Sequence, residues 1–422
     1  VAASVHFVEG FRAAIGRGQT AAAAAATAAR ELRTPALLAT GTTMVGLWSL
    51  ATSSIPAVSD FGWRSALGVA VVHLFVFLLL PPWLAAFARL AAAGSESPAA
   101  HGRWLPWVQR HRLRLATATA ALTALAVAGL PALRADNDPL RLLPTGERAR
   151  ADHDALAARL GGVETCHLLV AARSPASEPS RLLPLLASLR QEPGLAGLAG
   201  PVLRGPEGAL AVPLLLQPGG SASRTRVFAA LEDAPRVLGL DGVRVAGASV
   251  QIARDSERLL HSLGTSFAVS LVLLGGAMVV GLRSWRLGLL ALVPNVLPAA
   301  WVYGALGWLD RPLSVATGMI GCTMLGLIVD NTLHLLHQYR VARRAVGAGD
   351  ALAIAWRRCG RAIALTSSVL MLGFGAAASS NLATTVEFAV LAAATIGASW
   401  LATATVLPLL VGGSGGGGSD AA

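Results

Sequence analysis

Asp330 and His334 are the residues whose types and spacing most clearly indicate chemistry in this sequence. Asp330 follows an uncharged, largely apolar run that begins near Leu313, so its carboxyl group is expected well inside a membrane-crossing helix. An ionisable side chain at that depth costs at least about 2.5 to 3.5 kcal/mol, and it usually serves a function. Such a carboxyl group can bind and release a proton as its surroundings become wetter or drier. We therefore interpret Asp330 as a proton-exchanging residue.

His334 follows one helical turn after Asp330 and therefore lies on the same helix face. Because imidazole titrates near neutral pH, the two side chains can together form a proton path. Two other roles stay open for His334. It can be a static hydrogen-bonding partner of the carboxylate, or a residue at the membrane interface.

The composition indicates that these residues belong to a multi-pass membrane protein. Hydrophobic residues make up 54% of the chain and charged residues 14%, whereas a soluble domain carries about 25% charged residues. Apolar runs of about 20 residues, the length that crosses a bilayer, recur along the chain. They predict eight spans after an opening apolar stub, at residues 34–54, 64–88, 115–132, 264–282, 286–307, 313–336, 361–379 and 385–411.

Arginine positions predict the orientation of these spans. The formal net charge of +11 rests on arginine alone, because the sequence contains no lysine. The arginines cluster in every second loop, as the positive-inside rule requires. The long polar segment from Arg134 to Arg258 then lies on the outer side. Basic clusters between apolar spans, without a nucleic-acid-binding motif, argue against nucleic acid as a partner.

The outer segment has the pattern of a folded α/β domain. Short β-like runs begin at Glu164, Ala209 and Gly242, and helix-like runs begin at Arg181 and Arg224. This alternation predicts a compact sheet with helices on one face.

An internal repeat relates the start of the sequence to the region of Asp330. ASVHFVEGFR, which begins at Ala3, matches NTLHLLHQYR, and this match aligns His6 with His334. Further along, Gly46 aligns with Gly373. Two copies in the same direction predict parallel repeats about an axis along the membrane normal, an arrangement common in transporters.

The run GLIVD followed by NTLHLLHQYR resembles the tenth span of the resistance-nodulation-division (RND) superfamily. Residues 284–317 resemble the eighth-to-tenth-span region of its hydrophobe-amphiphile exporters and mycobacterial large membrane proteins (MMPL). ALTSSVLMLGFGAAASS, from Ala364, resembles the eleventh span. The resemblance covers nearly the whole chain and implies a polytopic α-helical membrane protein with an α/β ferredoxin-like porter domain outside the membrane.

The resemblance also implies a set of proton-relay residues. In that superfamily, polar residues of the fourth and tenth spans form the relay, and a hydroxyl on the eleventh span often completes it. The matching residues here are His6, Asp330, Asn331, His334, Thr366, Ser367 and Ser368. Ala2 stands where the fourth span would carry a carboxylate, which departs from the pattern. Hydroxyls in membrane helices also bond neighbouring backbone, so a structural role stays open for Thr366 and Ser367.

The resemblance divides the chain into the end of span four and a cytoplasmic connector (1–33), spans five and six (34–90), and a cytoplasmic amphipathic linker (91–114). Span seven (115–132), an extracytoplasmic porter domain (133–262), spans eight to twelve (263–411) and a flexible Gly/Ser tail (412–422) follow. The expected partners are a hydrophobic or lipid substrate, membrane lipids and a missing N-terminal half of the same protein. A homo-oligomer stays open.

These features predict export of lipids or other amphiphiles from the bacterial inner membrane, with protons as the coupling ion and no cofactor or metal. Motifs for nucleotide use, hydrolysis or metal binding are absent from the sequence, which favours a secondary active transporter over an enzyme. Three alternatives stay open: an accessory subunit of protein export, a lipid-binding regulator of the sterol-sensing type, and a scaffold that has lost coupling.

Overall fold

The computed structural model describes residues 2–53, 55–88, 104–134, 136, 147–205 and 208–413. Its helices are α1 (Ala2–Gly16), α2 (Ala21–Trp48), α3 (Pro56–Ala86), α4 (Trp104–Arg110), α5 (Arg112–Gly129), α6 (Arg148–Leu160), α7 (Pro179–Leu189), α8 (Ser221–Val237), α9 (Ala248–Gly281), α10 (Trp285–Trp308), α11 (Val315–Arg343), α12 (Ala348–Ala376) and α13 (Ala383–Gly413). Its strands are β1 (Thr165–Val170), β2 (Leu195–Leu198), β3 (Leu203–Arg204), β4 (Leu210–Leu216) and β5 (Val243–Ala246).

Seven of the described helices are long and apolar enough to cross a membrane. They are Val58–Ala86, Arg112–Ala132, Ala248–Gly281, Trp285–Trp308, Val315–Arg343, Ala348–Ser379 and Ala383–Val411. Each contains or overlaps one of the predicted spans. The chain is therefore a multi-pass membrane protein.

The predicted span 34–54 is not among these seven helices, although α2 covers residues 34–48 of it. α2 ends at Trp48, and a 3₁₀ turn over Ser49–Thr52 follows it. α2 also begins in an alanine-rich stretch that carries Arg30 and Glu31, which lowers its mean hydropathy. α3 and α11 pack against α2. Much of the α2 surface is therefore covered by other helices, whereas an isolated span would be surrounded by lipid.

α11 is the central helix of the bundle. It packs against α2, α9, α10, α12 and α13, and 94% of its apolar stretch is buried. The apolar stretch of α3 is only 6% buried, so most of α3 lies on the surface of the bundle. Burial on all sides lets α11 carry polar side chains, because they meet protein groups and not hydrocarbon.

A close backbone approach joins α2 to α11. A Cβ atom on Gly46 would lie 2.8 Å from the Cα atom of Gly326, so both positions need glycine at this separation. The Thr43 hydroxyl donates to the carbonyl oxygen of Gly326 at 2.8 Å. Small residues and interhelical hydrogen bonds of this kind hold membrane helices together.

The helix contacts are reciprocal between the two halves of the repeat. α2 packs against α11, and the corresponding helix of the second copy, α12, packs against α1. Reciprocal contacts are what two copies related by a two-fold axis produce. The aligned residues His6 and His334 therefore face each other across the centre of the bundle.

The segment between α5 and α9 folds into a mixed α/β unit. Its sheet has the order β2-β4-β1-β5, with β3 beside β4, and all pairings are antiparallel. α7 connects β1 to β2, and α8 connects β4 to β5. Leucine and valine side chains from the sheet and these helices form its core. The predicted strands and helices of this segment are all present, and its ferredoxin-like classification stays a prediction.

α9 connects this α/β unit, which we call the outer unit after its predicted location, to the membrane bundle without interruption. Val250 and Ala253 near its start pack in the core of the outer unit, and Leu274 and Met278 near its end pack in the core of the bundle. Its 34 residues extend over about 51 Å, more than the roughly 30 Å of hydrocarbon. The helix therefore links the two cores mechanically.

Parts of several predicted segments lie outside the described residues. They are residue 1 of the opening segment, 54 and 89–90 of spans five and six, 91–103 of the amphipathic linker, 135, 137–146 and 206–207 of the porter domain, and 414–422 of the Gly/Ser tail. The described part of the linker, α4, packs against α13, and the Trp104 indole donates to the carbonyl oxygen of Ala404 at 3.1 Å.

The arginine-rich segment around Cys359 lies between the predicted spans 313–336 and 361–379 and was therefore expected as a loop. It instead belongs to α12, where Cys359 is buried.

Candidate functional site

The centre of the bundle holds an acid–histidine pair. Asp330 and His334 lie one turn apart on α11, and Asp330 Oδ1 is 3.1 Å from His334 Nε2. Both residues are buried. Although the distance is that of an ion pair, neither atom has a partner in hydrogen-bond geometry among the described residues. A small side-chain movement would align the pair, so the arrangement suits a site that makes and breaks this contact.

His6 extends this pair to the first copy of the repeat. Its ring stacks on the ring of His334 with a centroid distance of 4.0 Å and an interplanar angle of 11°. Nε2 of His6 is buried without a hydrogen-bond partner among the described residues. The two aligned histidines and Asp330 thus form one cluster.

α12 contributes two of the three predicted hydroxyls to the same region. Asn331 Nδ2 donates to Ser367 Oγ at 3.1 Å, whereas Oδ1 of Asn331 and Oγ1 of Thr366 are buried without a partner among the described residues. Ser368 is exposed, so its inclusion in the predicted hydroxyl cluster was wrong. The helical turn of 100° per residue carries it to the opposite face of α12.

A second polar contact on α11 was not predicted from the sequence. Thr332 Oγ1 donates to Asn295 Oδ1 of α10 at 3.3 Å, and Asn295 Nδ2 donates to the carbonyl oxygen of Ala291 at 2.6 Å. Asn295 lies between Pro294 and Pro298, each of which leaves a carbonyl of the preceding turn without its N–H donor. The Asn295 side chain thus supplies a hydrogen bond to the backbone in a part of α10 where the two prolines remove backbone hydrogen bonds. In the sequence, the position of Asn295 between two prolines was the only sign of this role.

A groove of about 320 Å³ leads to Asp330 from the other side. It lies between α2, α3 and α11 and is lined by Thr40, Thr43, Ser65, Val72, His73 and Leu327 together with Asp330. The Asp330 side chain is 12% exposed, and Oδ1 has no accessible surface. The carboxyl group therefore has one oxygen beside His334, while the rest of the group borders the groove.

An ion pair joins the two copies of the repeat. Arg361 of α12 lies 3.7 Å from the Glu9 carboxylate of α1, and Arg12 contacts the same oxygen at 3.4 Å. Among the described residues, no group of three or more His, Cys, Asp or Glu side chains is arranged to hold a metal ion.

The chain's overall fold has close counterparts among solved structures. SecDF of Thermus thermophilus, a translocon-associated membrane protein, matches 98% of this chain with a TM-score of 0.62 and 16% identity. A second SecDF structure, in the super-membrane-facing form, matches 97% with a TM-score of 0.56 and 15% identity. The chain has a SecDF-like fold.

Comparison of sequences finds one partial relative. A membrane protein of Methanocaldococcus jannaschii is 28% identical over 173 residues, which is 40% of this chain and 45% of that protein. No protein-family model matches the chain. The chain spans about half the length of these relatives, with 45% of the archaeal protein and 53% of each SecDF chain covered.

Proposed function

We propose that this SecDF-like protein uses proton movement through its bundle to drive export. In this proposal Asp330 takes up a proton from one side of the membrane and releases it to the other, with His334 and His6 as the next groups on the path. The single observation that carries the proposal is the position of the Asp330 carboxyl group. It lies in the most buried helix of the bundle, with histidines on one side and a groove on the other.

Two connections in the fold support coupling between this site and the outer unit. The first is α9, which is continuous between the two cores. The second is a backbone bridge, in which the Leu313 N–H donates to Arg134 at 2.7 Å and the Asp136 N–H donates to Leu313 at 3.0 Å. Leu313 immediately precedes the N-cap of α11, and the Asp136 carboxylate lies against Gly220 at the start of α8. A shift of α11 would thus reach the outer unit directly.

Two classes of cargo follow from two different observations. Both structural neighbours are SecDF, one described as translocon-associated, which favours an accessory role in protein export over lipid export. The resemblance of residues 284–317 to hydrophobe exporters favours lipids or other amphiphiles as cargo. The histidine of DNTLHLLHQYR also argues against the protein-export subunits, where this position is usually aliphatic. For either cargo, we propose the bacterial inner membrane as the location.

Reconstitution with an imposed pH gradient tests the proposal. The full-length protein is placed in vesicles that contain a pH-sensitive dye and a fluorescent phospholipid, with and without a translocon and a labelled secretory precursor. We expect protein-dependent proton flux, and gradient-dependent stimulation of precursor translocation if the cargo is a polypeptide. Gradient-dependent release of the phospholipid would assign the lipid cargo. Lipid binding without proton flux would contradict the proposal and support the sterol-sensing alternative.

A further inference from the structure

His73 is a further ionisable residue within a membrane span, and the proposed relay does not include it. It lies in the apolar run Val58–Ala86, which has the highest mean hydropathy of the candidate spans, 2.2. An ionisable side chain within such a run is costly and usually functional. Simple anchoring at the membrane surface does not explain its position, because apolar residues extend for about two helical turns before it and further after it.

The orientation of the His73 ring is fixed by a neighbouring helix. His73 Nδ1 and the Thr40 hydroxyl of α2 lie 2.7 Å apart in a hydrogen bond, and the Phe77 ring packs against the imidazole with a centroid distance of 4.7 Å. Nε2 has no hydrogen-bond partner among the described residues and is not enclosed. One ring nitrogen is therefore used for positioning, and the other stays accessible.

His73 and Asp330 line the same groove. Thr40, Thr43 and Ser65 also line this groove, and its volume has room for water molecules that would connect the two titratable side chains. His73 of α3 and Asp330 of α11 are the titratable groups that line it, whereas α1 contributes Ala3 and α2 contributes alanines and threonines. His334 and His6 lie behind Asp330.

We propose that His73 is a proton-transfer residue on the access route to Asp330 and that Thr40 positions its ring. The protonated imidazole gives its Nε2 proton to a water molecule in the groove, and that water gives a proton to the Asp330 carboxylate. His73 becomes neutral and regains a proton from another water molecule in the groove. This inference rests on the proposed function and adds a defined route by which protons reach Asp330.

His73→Asn is the variant that separates proton transfer from structure. Asparagine can keep a hydrogen bond to Thr40 but cannot exchange a proton at this pH. We expect proton flux per inserted molecule, measured with a dye inside vesicles, to fall about tenfold. This is less than the 10² to 10⁴ typical of a positioned acid–base group, because groove water still conducts protons. The flux should also lose part of its pH dependence. Thr40→Val should give a smaller decrease.

The matched control is His261→Asn, since His261 is exposed on the outer part of α9. It should leave proton flux unchanged. Wild-type flux and pH profile in His73→Asn, or a decrease that disappears when flux is divided by the amount of inserted protein, would overturn the inference. The result for Asp330→Asn distinguishes failure of the inference about His73 from failure of the proposed function. If only Asp330→Asn abolishes flux, the inference about His73 fails alone, and if neither variant matters, the proposed function fails.

Discussion

A proton can reach Asp330 by two routes, one through the stacked histidines and one through water. His334 contacts Asp330 at 3.1 Å and stacks on His6 at 4.0 Å. The contact with Asp330 is close enough for direct transfer after a small reorientation. Water near the carboxyl group offers a slower route, because Asp330 also borders the groove.

His334→Ala should therefore slow transport without abolishing it. We expect a decrease of roughly tenfold together with a changed pH profile, since one acid–base group is lost and water replaces it. Initial rates of gradient-dependent transport across a pH series, normalised to inserted protein, provide the measurement. His261→Ala is the control. A rate and pH profile equal to wild type would show that His334 has only a static role.

Part of this site could be predicted from the sequence. Asp330 and His334 are recognisable as charged or titratable residues after an apolar run, and His6 follows from the repeat. The bond between Asn331 and Ser367 was not derivable from spacing, because it depends on how α11 and α12 are rotated and shifted against each other. His73 carried the same signal as Asp330, an ionisable residue within an apolar run, but the sequence interpretation omitted it.

At the scale of elements, α2 shows why hydropathy alone misjudges some membrane helices. Its buried face is built from alanine, threonine and glycine, which permit close packing but contribute little hydropathy. The start of α12 shows a related effect. The sequence assigned Arg357 and Arg358 to a loop, yet both lie in the helix, where they are exposed. Long arginine side chains can reach the interface from within a helix.

Gly46→Ala should destabilise the contact between α2 and α11. The added Cβ atom would lie 2.8 Å from the Cα atom of Gly326, and overpacking of this kind costs about 1 to 3 kcal/mol. Gly373→Ala is a matched control, because Gly373 is the aligned glycine of the repeat and a Cβ atom there meets nothing within 4 Å. Unfolding in mixed detergent micelles measures both variants. Equal stability of the two would contradict the packing of these helices.

At the scale of the whole molecule, the arrangement places an α/β unit on one side of a bundle whose arginines lie mostly at the other. The order of its strands and helices was predictable from short alternating runs. The bridge between Leu313 and residues 134–136 was not, because it joins backbone groups far apart in sequence and leaves no side-chain pattern.

Single-cysteine labelling tests this topology. In intact cells, a membrane-impermeant maleimide should label Arg190→Cys on the outer unit and should not label Arg344→Cys after α11. Background is expected to be low, because Cys166, Cys322 and Cys359 are all buried. Burial also raises the pKa of the Cys166 thiol to about 11, so its reactive thiolate is scarce at neutral pH and increases only at strongly alkaline pH. Labelling of Arg344→Cys alone would invert the topology.

The central claim is that proton exchange at Asp330 drives the protein, and Asp330→Asn tests it most directly. Asparagine keeps the size and hydrogen bonding of the side chain but cannot carry the proton. Asp60→Asn, an exposed carboxyl-to-amide change near the start of α3, is the matched control. The measurement is gradient-driven transport per inserted molecule in vesicles. We predict that Asp330→Asn inserts stably and shows no gradient-dependent transport while Asp60→Asn behaves as wild type, and undiminished transport by Asp330→Asn would contradict the account.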